Sequence, residues 1–259
     1  MGSQQATPRR RSAQTVDAEI DVEVIAHRGL PRKARENSLA GFELAIAAGA
    51  DGIELDVHAT RDGLVVVHHD ATLAPPAGAP TGTSGPAIAT LTLAELRVAA
   101  SGNDEIPTLA ETLACVGDRA VLYVELKGSG IEQAVLAELA AHHTTAAVHS
   151  FDHRVSRHVR RLAPTMPTGI LSASYLLEPG RALHLATARD YWEWWEMIDE
   201  ALVGAVHAAG GRVIAWTVNS TEGVRRLAAL DVDAVCTDEA DVIVPLVRAS
   251  RDAASAGAR

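Results

Sequence analysis

Two carboxylates stand two residues apart in Gly52-Ile-Glu-Leu-Asp-Val57. In an extended strand, residues i and i+2 face the same way, so Glu54 and Asp56 share one side. Two acids buried together repel and lose hydration, and they persist where a cation or basic side chains neutralise them. A metal site is the leading reading and a structural ion pair the competing one. Glu125, in Val124-Glu-Leu-Lys127, could complete three carboxylates. That hard oxygen set suits one divalent cation, Mg2+ or Ca2+, better than zinc. Lys127 supplies the rival account, as an ion-pair partner of Glu125 or Glu54.

Histidines extend the cluster. His27 precedes Arg28 and Gly29, and His69 lies in His68-His69-Asp70. Imidazoles titrate near neutrality, so a pair flanking one scissile bond can act as general acid and general base. Arg28 and Lys127 could place two cationic donors on phosphate oxygens; a surface pair with Glu36 is the plainer use of Arg28. His58 shares the face of Glu54 and Asp56 without a catalytic role assigned to it, and alternation turns His68 away from His69. The other seven histidines fall mostly in helical or loop stretches and read as solvated. Aromatic residues are only 3% of the chain, yet Tyr191-Trp-Glu-Trp-Trp195 concentrates three of the four tryptophans. The Trp192–Trp195 group serves equally well as core or as the wall of a pocket. Trp216, ending a strand, leans towards pocket lining.

The elements that must hold these groups alternate along the chain. Apolar, β-branched runs at Val22–His27, Gly52–His58, Leu64–His69, Val121–Glu125, Ala146–His149, Thr168–Leu171, Arg189–Trp192, Arg212–Thr217 and Ala234–Cys236 read as strands. Most are apolar throughout, as in a parallel sheet covered on both faces. Helical stretches fall near Leu39–Ala48, Leu109–Val116, Ile131–His142, His153–Leu162, Glu200–Ala209, Thr221–Leu230 and Ala240–Ser250. Thr92-Leu-Ala-Glu95 and Thr108-Leu-Ala-Glu111 carry capping-box signatures, and Asp199 is a further candidate cap. Roughly eight strand–helix repeats predict an α/β fold of (β/α)8 barrel type, with the site at the C-terminal ends of the strands. A doubly wound sheet would want a glycine-rich turn after its first strand, where this chain has His27-Arg28-Gly29. The Pro/Gly-rich stretch Ala74–Thr90 reads as an excursion from the barrel.

Composition narrows the class. The 259 residues hold 23 Lys and Arg against 33 Asp and Glu, a formal net charge of −10. That balance argues against a nonspecific nucleic-acid binder. With 47% apolar and 22% charged residues, wholesale disorder is excluded, and no apolar run reaches the roughly 20 residues of a membrane span. Two cysteines distant in sequence make a disulfide scaffold unlikely on counting alone. Residues 1–20 read as a disordered tail, with Arg9, Arg10 and Arg11 but no apolar stretch behind them to make an export signal. The expected layout is a barrel over 21–250 and a C-terminal tail over 251–259, in a cytoplasmic protein whose oligomeric state the sequence leaves open.

The motifs, taken in order, resemble those of the glycerophosphodiester phosphodiesterase family: Ile25-Ala-His-Arg-Gly29, Glu36-Asn-Ser38, Gly52-Ile-Glu-Leu-Asp-Val57, Val67-His-His-Asp70, Val124-Glu-Leu-Lys127, and Val213-Ile-Ala-Trp-Thr-Val-Asn219. The resemblance covers about residues 23–245. It implies a metal-dependent hydrolysis of glycerophosphodiesters to glycerol 3-phosphate and an alcohol, with no nucleic-acid partner and no integral membrane association. Glu54, Asp56 and Glu125 would hold the cation, and His27 and His69 would be the acid/base pair. Arg28 and Lys127 would contact phosphate, Asn37 would organise the rim, and Trp216 would meet the glycerol side. The family's insertion corresponds to about 71–105. Here it lacks the usual Leu-Asp-Arg-Thr continuation and has no aromatic residue, which bears on head-group recognition. Alternatives are a lysophospholipase D or sphingomyelinase D-like enzyme on the same barrel, or a barrel that only binds phosphate esters.

Overall fold

The computed structural model describes residues 20–75, 78–100, 106–142 and 144–257. The chain opens with β1 (Glu23–His27), α1 (Leu39–Ala48), β2 (Gly52–Ala59) and β3 (Val65–Val67). It continues through α2 (Leu93–Ala99), α3 (Leu109–Val116), β4 (Val121–Leu126), α4 (Glu132–Ala141), β5 (Ala146–Ser150) and α5 (His153–Leu162). Then come β6 (Thr168–Ser172), α6 (Pro179–Ala186), β7 (Asp190–Trp194), α7 (Glu200–Ala208), β8 (Arg212–Trp216), α8 (Thr221–Ala229), β9 (Ala234–Thr237) and α9 (Ala240–Gly257).

Eight strands pair in parallel around a closed ring, β1-β2-β4-β5-β6-β7-β8-β9 and back to β1. Closure removes every exposed edge, and the helices cover the outside, which makes this a (β/α)8 barrel. Thr92 and Thr108 each complete a full capping box at the starts of α2 and α3, and Asp199 caps α7 by accepting the Leu202 amide. Each cap satisfies amides that a helix start leaves without partners.

Four features differ from the expectations. The run read as Leu64–His69 is not a barrel strand: β3 is three residues long and antiparallel to β2. β2 overhangs the rim, and β3 doubles back along the overhang, so the histidines after β3 return to the barrel's mouth. The helix α6 had no counterpart in the sequence reading. Ile20, assigned to the N-terminal tail, is buried, and its amide donates to Ser250 Oγ at 2.8 Å; the rest of that tail, 1–19, lies outside the described residues. At the other end α9 runs on to Gly257, where a tail was expected, and Arg251 binds Asp21 at 2.9 Å. Within the excursion, Leu73, Ile88, Leu96 and Ile106 close a small satellite core on Val66. Residues 76–77 and 101–105 of that excursion lie outside the description.

Strand alternation sorts the barrel interior into levels. A charged floor holds Glu23, Asp190 and Arg212. Above it, Ile25, Tyr123, Ala147, Leu171, Trp192, Ile214 and Cys236 form an apolar middle. The same alternation then delivers His27, Glu54, Asp56, Glu125, His149 and Trp216 to the C-terminal mouth.

Candidate active site

A cavity of about 240 Å³ opens at that mouth, lined by His27, Arg28, Glu54, His69, Glu125, Lys127, His149, Phe151, Trp192 and Trp216 among others. The two histidines and all three acids are thus brought to one end of the barrel. Asp56, two residues on from Glu54 along β2, is fully buried and outside the cavity lining.

The turn after β1 sets Arg28. Arg28 and Gly29 both have positive φ, 54° and 87°. A Cβ at Gly29 would come within 2.8 Å of the Gly41 carbonyl carbon, so only glycine fits a turn this tight against α1. The turn aims the Arg28 amide at Glu54 Oε2 (3.2 Å) and its Nε at Asp56 Oδ2 (3.2 Å), while Nη1 pairs with Glu36 at 3.0 Å. Lys127 bridges two acids, with Nζ 2.9 Å from Asp56 Oδ1 and 2.8 Å from Glu125 Oε1. Of the ion pairs weighed in the sequence reading, Arg28–Glu36 and Lys127–Glu125 form, while Lys127 turns to Asp56 in place of Glu54. Asn37 holds Asp56 twice: its Nδ2 donates to Oδ2 at 2.8 Å, and its Oδ1 accepts the Asp56 amide at 3.3 Å.

Charge is distributed unevenly. Burial works to raise the Asp56 pKa, but Lys127, Arg28 and the Asn37 hydrogen bond override it and bring the carboxyl down to about 2. Glu54 has no comparable cation. Burial and the Asp56 charge push it up to about 7. Burial likewise raises Glu125 to about 7, against the pull of Lys127. Two of three acids are thus left short of positive charge.

His27 Nδ1 is hydrogen-bonded to Asp238 Oδ1 at 2.7 Å, which leaves Nε2 facing Glu54 Oε2 at 3.9 Å. Burial acts to lower this imidazole's pKa, and the Asp238 hydrogen bond with the Glu54 charge reverses that, leaving it raised. Asp238 is itself held by Asn219 Nδ2 at 2.7 Å. His69 bonds Asp70 at 2.8 Å through Nδ1, and His58 Nε2 meets the His69 carbonyl at 3.1 Å. His58 thus supports the loop that presents His69 and lies away from the cavity lining.

Sequence reasoning missed two members. Asp238 was visible only as a polar strand end with no role. His149 was counted among solvated histidines, yet it is 1% exposed on β5 and stacks on Trp192 with ring centroids 4.4 Å apart. Its Nε2 faces Glu54 Oε1 at 3.8 Å. One ligand atom each from Glu54, Glu125 and His149 lie within 4.8 Å of one another. Asp56 is outside that group, being engaged by Lys127, Arg28 and Asn37. The donor chemistry fits a divalent cation: buried carboxyl groups short of positive charge are what such an ion relieves. The Trp192–Trp195 group divides. Trp192 lines the cavity, Trp194 leans on Trp216 at its rim with centroids 6.1 Å apart, and Trp195 packs outside the barrel.

The model of the "Glycerophosphoryl diester phosphodiesterase family" matches residues 27–242, the stretch that builds both barrel and cavity. This chain belongs to that family. A glycerophosphodiester phosphodiesterase of Caldanaerobacter subterraneus subsp. tengcongensis is 31% identical over 242 residues, covering 87% of this chain and 97% of the relative. Among solved structures, the glycerophosphodiester phosphodiesterase of Thermotoga maritima superposes with a TM-score of 0.76 at 28% identity, covering 87% of this chain and 98% of that one. An Oleispira antarctica phosphodiesterase, solved in complex with the product sn-glycerol-3-phosphate, has a TM-score of 0.76 at 26% identity over 89% of this chain and 96% of its own. As in other barrels of this architecture, the family's chemistry belongs at the C-terminal face.

Proposed function

We propose that this enzyme hydrolyses glycerophosphodiesters to glycerol 3-phosphate and an alcohol in a metal-dependent reaction. The observation that carries the reading is the convergence of an acid cluster short of positive charge with His27, His69, Arg28 and Lys127 on one cavity, in a chain of this family. Glu54 and Glu125 would hold one divalent cation, with Asp56 joining them by exchanging a contact with Lys127 or Arg28 for the ion. Such an ion supplies a Lewis acid that neutralises charge on a phosphoryl oxygen.

The side chains around it divide the remaining work. Arg28 and Lys127 bring fixed positive charge to the developing phosphorane. His27 is held at Nδ1 by Asp238, and against the effect of burial that hydrogen bond and the Glu54 charge raise its pKa, which suits it to protonate the leaving alkoxide. His69 lines the same cavity, is more exposed than His27, and suits removal of a proton from the attacking hydroxyl. Trp216 and Phe151, with centroids 5.5 Å apart, wall the cavity's outer side.

Release of glycerol 3-phosphate from glycerophosphocholine, abolished by EDTA and restored by a divalent cation, is the expected result; no release under any cation defeats the reading. A second reading takes lysophospholipids as substrates, because Phe151 (46% exposed) and Trp194 (43% exposed) edge the mouth with apolar surface. Parallel assays on glycerophosphocholine and its lysolipid separate the two by their kcat/KM ratio.

A further inference from the structure

The geometry points to a nitrogen donor in this metal site: His149 Nε2 is a ligand of the cation, and the site favours a first-row transition-metal ion such as Mn2+ over Mg2+ or Ca2+. This inference rests on the metal-dependent reading above and adds to it a residue and a metal class.

Three observations carry it. First, His149 is 1% exposed, and neither ring nitrogen has a hydrogen-bond partner among the described residues. A buried neutral imidazole carries one N–H and one lone pair, and leaving both unused is costly. Second, the ring lies among the acids: Nε2 faces Glu54 Oε1 at 3.8 Å, and one His149 ring nitrogen belongs with an oxygen each of Glu54 and Glu125 to a group spanning no more than 4.8 Å. Donors about 2.1 Å from a shared ion are separated by roughly 3–4 Å, so small side-chain adjustments suffice. Third, the stack on Trp192, with planes 17° apart, fixes the ring's plane and keeps it from turning to another partner.

The simplest competing account makes the ring packing material for Trp192. An apolar or aromatic side chain would pack there without two stranded nitrogens, so packing alone does not explain the residue type.

The consequence follows from ligand chemistry. Imidazole nitrogen suits first-row transition-metal ions better than Mg2+ or Ca2+, which prefer all-oxygen shells; the gain is largest for Co2+ and Zn2+ and smallest for Mn2+. The expectation of Mg2+ or Ca2+ came from counting carboxylates alone.

The test is pulsed electron paramagnetic resonance on the full-length, metal-stripped enzyme reloaded with Mn2+. Wild type is expected to show modulation from one directly bound imidazole 14N, and His149→Gln to lose it. By calorimetry the Mn2+ over Mg2+ preference should fall by about tenfold or more in His149→Gln, at least the effect of disturbing a metal ligand's support. Mn2+ bound without 14N coupling in wild type overturns the inference and leaves the metal-dependent reading standing. Coupling that survives His149→Gln assigns the nitrogen elsewhere and also overturns it. Failure of wild type to bind Mn2+, Mg2+ or Ca2+ at all removes the metal-dependent reading and this inference with it. The wild-type spectrum decides even if the variant folds poorly.

Discussion

The two ends of the barrel each hold a charged cluster over a cavity, and they solve the electrostatic problem differently. At the floor, a cavity of about 400 Å³ is lined by Glu23, Arg189 and Arg212 among others, and the buried Asp190 takes both a 2.8 Å and a 2.7 Å hydrogen bond from Arg189. Glu23 accepts from Arg212 at 2.5 Å and from the Tyr123 hydroxyl at 2.7 Å, and Arg212 also lies 3.6 Å from Asp190. Each of these carboxylates has an arginine. At the mouth, three acids share Arg28 and Lys127, Glu54 has neither side chain within ion-pair distance, and His149 is unpaired. The floor cavity is the larger of the two, so size does not mark the functional end. Incomplete compensation does: a cluster that neutralises itself needs no ligand, whereas one short of positive charge is poised to take it from an ion.

That contrast yields tests at both ends. The largest effect is expected in turnover at the mouth. His27→Ala should lower kcat by about 10²- to 10⁴-fold, the usual worth of a positioned acid/base, and His69→Ala by about 10²-fold. Steady-state kinetics with folding checked by circular dichroism decides, and unchanged turnover in either variant removes that histidine from the mechanism.

At the floor the sign of the trade reverses. Arg212→Met leaves the Glu23 carboxylate without its arginine, while Asp190 keeps Arg189, and should cost about 3 kcal/mol of unfolding free energy. Urea denaturation measures the loss, and kcat of the folded enzyme should be unchanged. A variant that keeps its stability but loses activity would dissolve the distinction between the ends.

The pH dependence sharpens it. Glu54 and Glu125 rise from an ordinary 4.5 to about 7 in the metal-free fold. Between those values the folded state holds protons that the unfolded chain has released, so metal-free stability falls as pH rises from about 4.5 to 7 and then levels. A divalent cation should remove this fall, because it takes the place of the protons. Melting curves with EDTA and with Mn2+ across that range show whether the two profiles diverge upward in pH.

The smallest effect lies on the barrel's outer face. Glu193 is fully buried there, accepts the Tyr191 hydroxyl and the Trp194 amide at 3.0 Å each, and is raised to about 7, chiefly by burial. It too makes stability fall from about pH 4.5 to 7. Glu193→Gln should remove that contribution to the slope, because the amide does not titrate in this range, at a separate pH-independent cost of about 1 kcal/mol because the amide replaces the same hydrogen bonds imperfectly. An identical pH profile in the variant would show that Glu193 does not titrate in the fold.

Where the sequence was legible, local rules sufficed. The alternation of apolar runs with capped amphipathic segments marks the barrel, and strand parity places Glu54 and Asp56 together. Where it was not, a distant contact decided. The opening Pro179-Gly180 hides α6, since glycine weakens a helix. Yet a Cβ at Gly180 would come within 2.6 Å of the Ala205 carbonyl oxygen, so the glycine is there to let α6 lie against α7. The three valines of β3 read correctly as strand, but their antiparallel direction depends on pairing with β2. His149 looked like any other histidine because its unpaired state exists only once Trp192 covers it.

Residue types and their spacing by themselves determined the barrel, its chemical end, and most of the acids and bases gathered there, but neither Asp238 nor His149. Which acids are neutralised and which are left wanting was decided only in three dimensions. A side chain's charge state depends on burial and on neighbours within a few ångströms, and in a barrel those neighbours come from strands scattered along the whole chain.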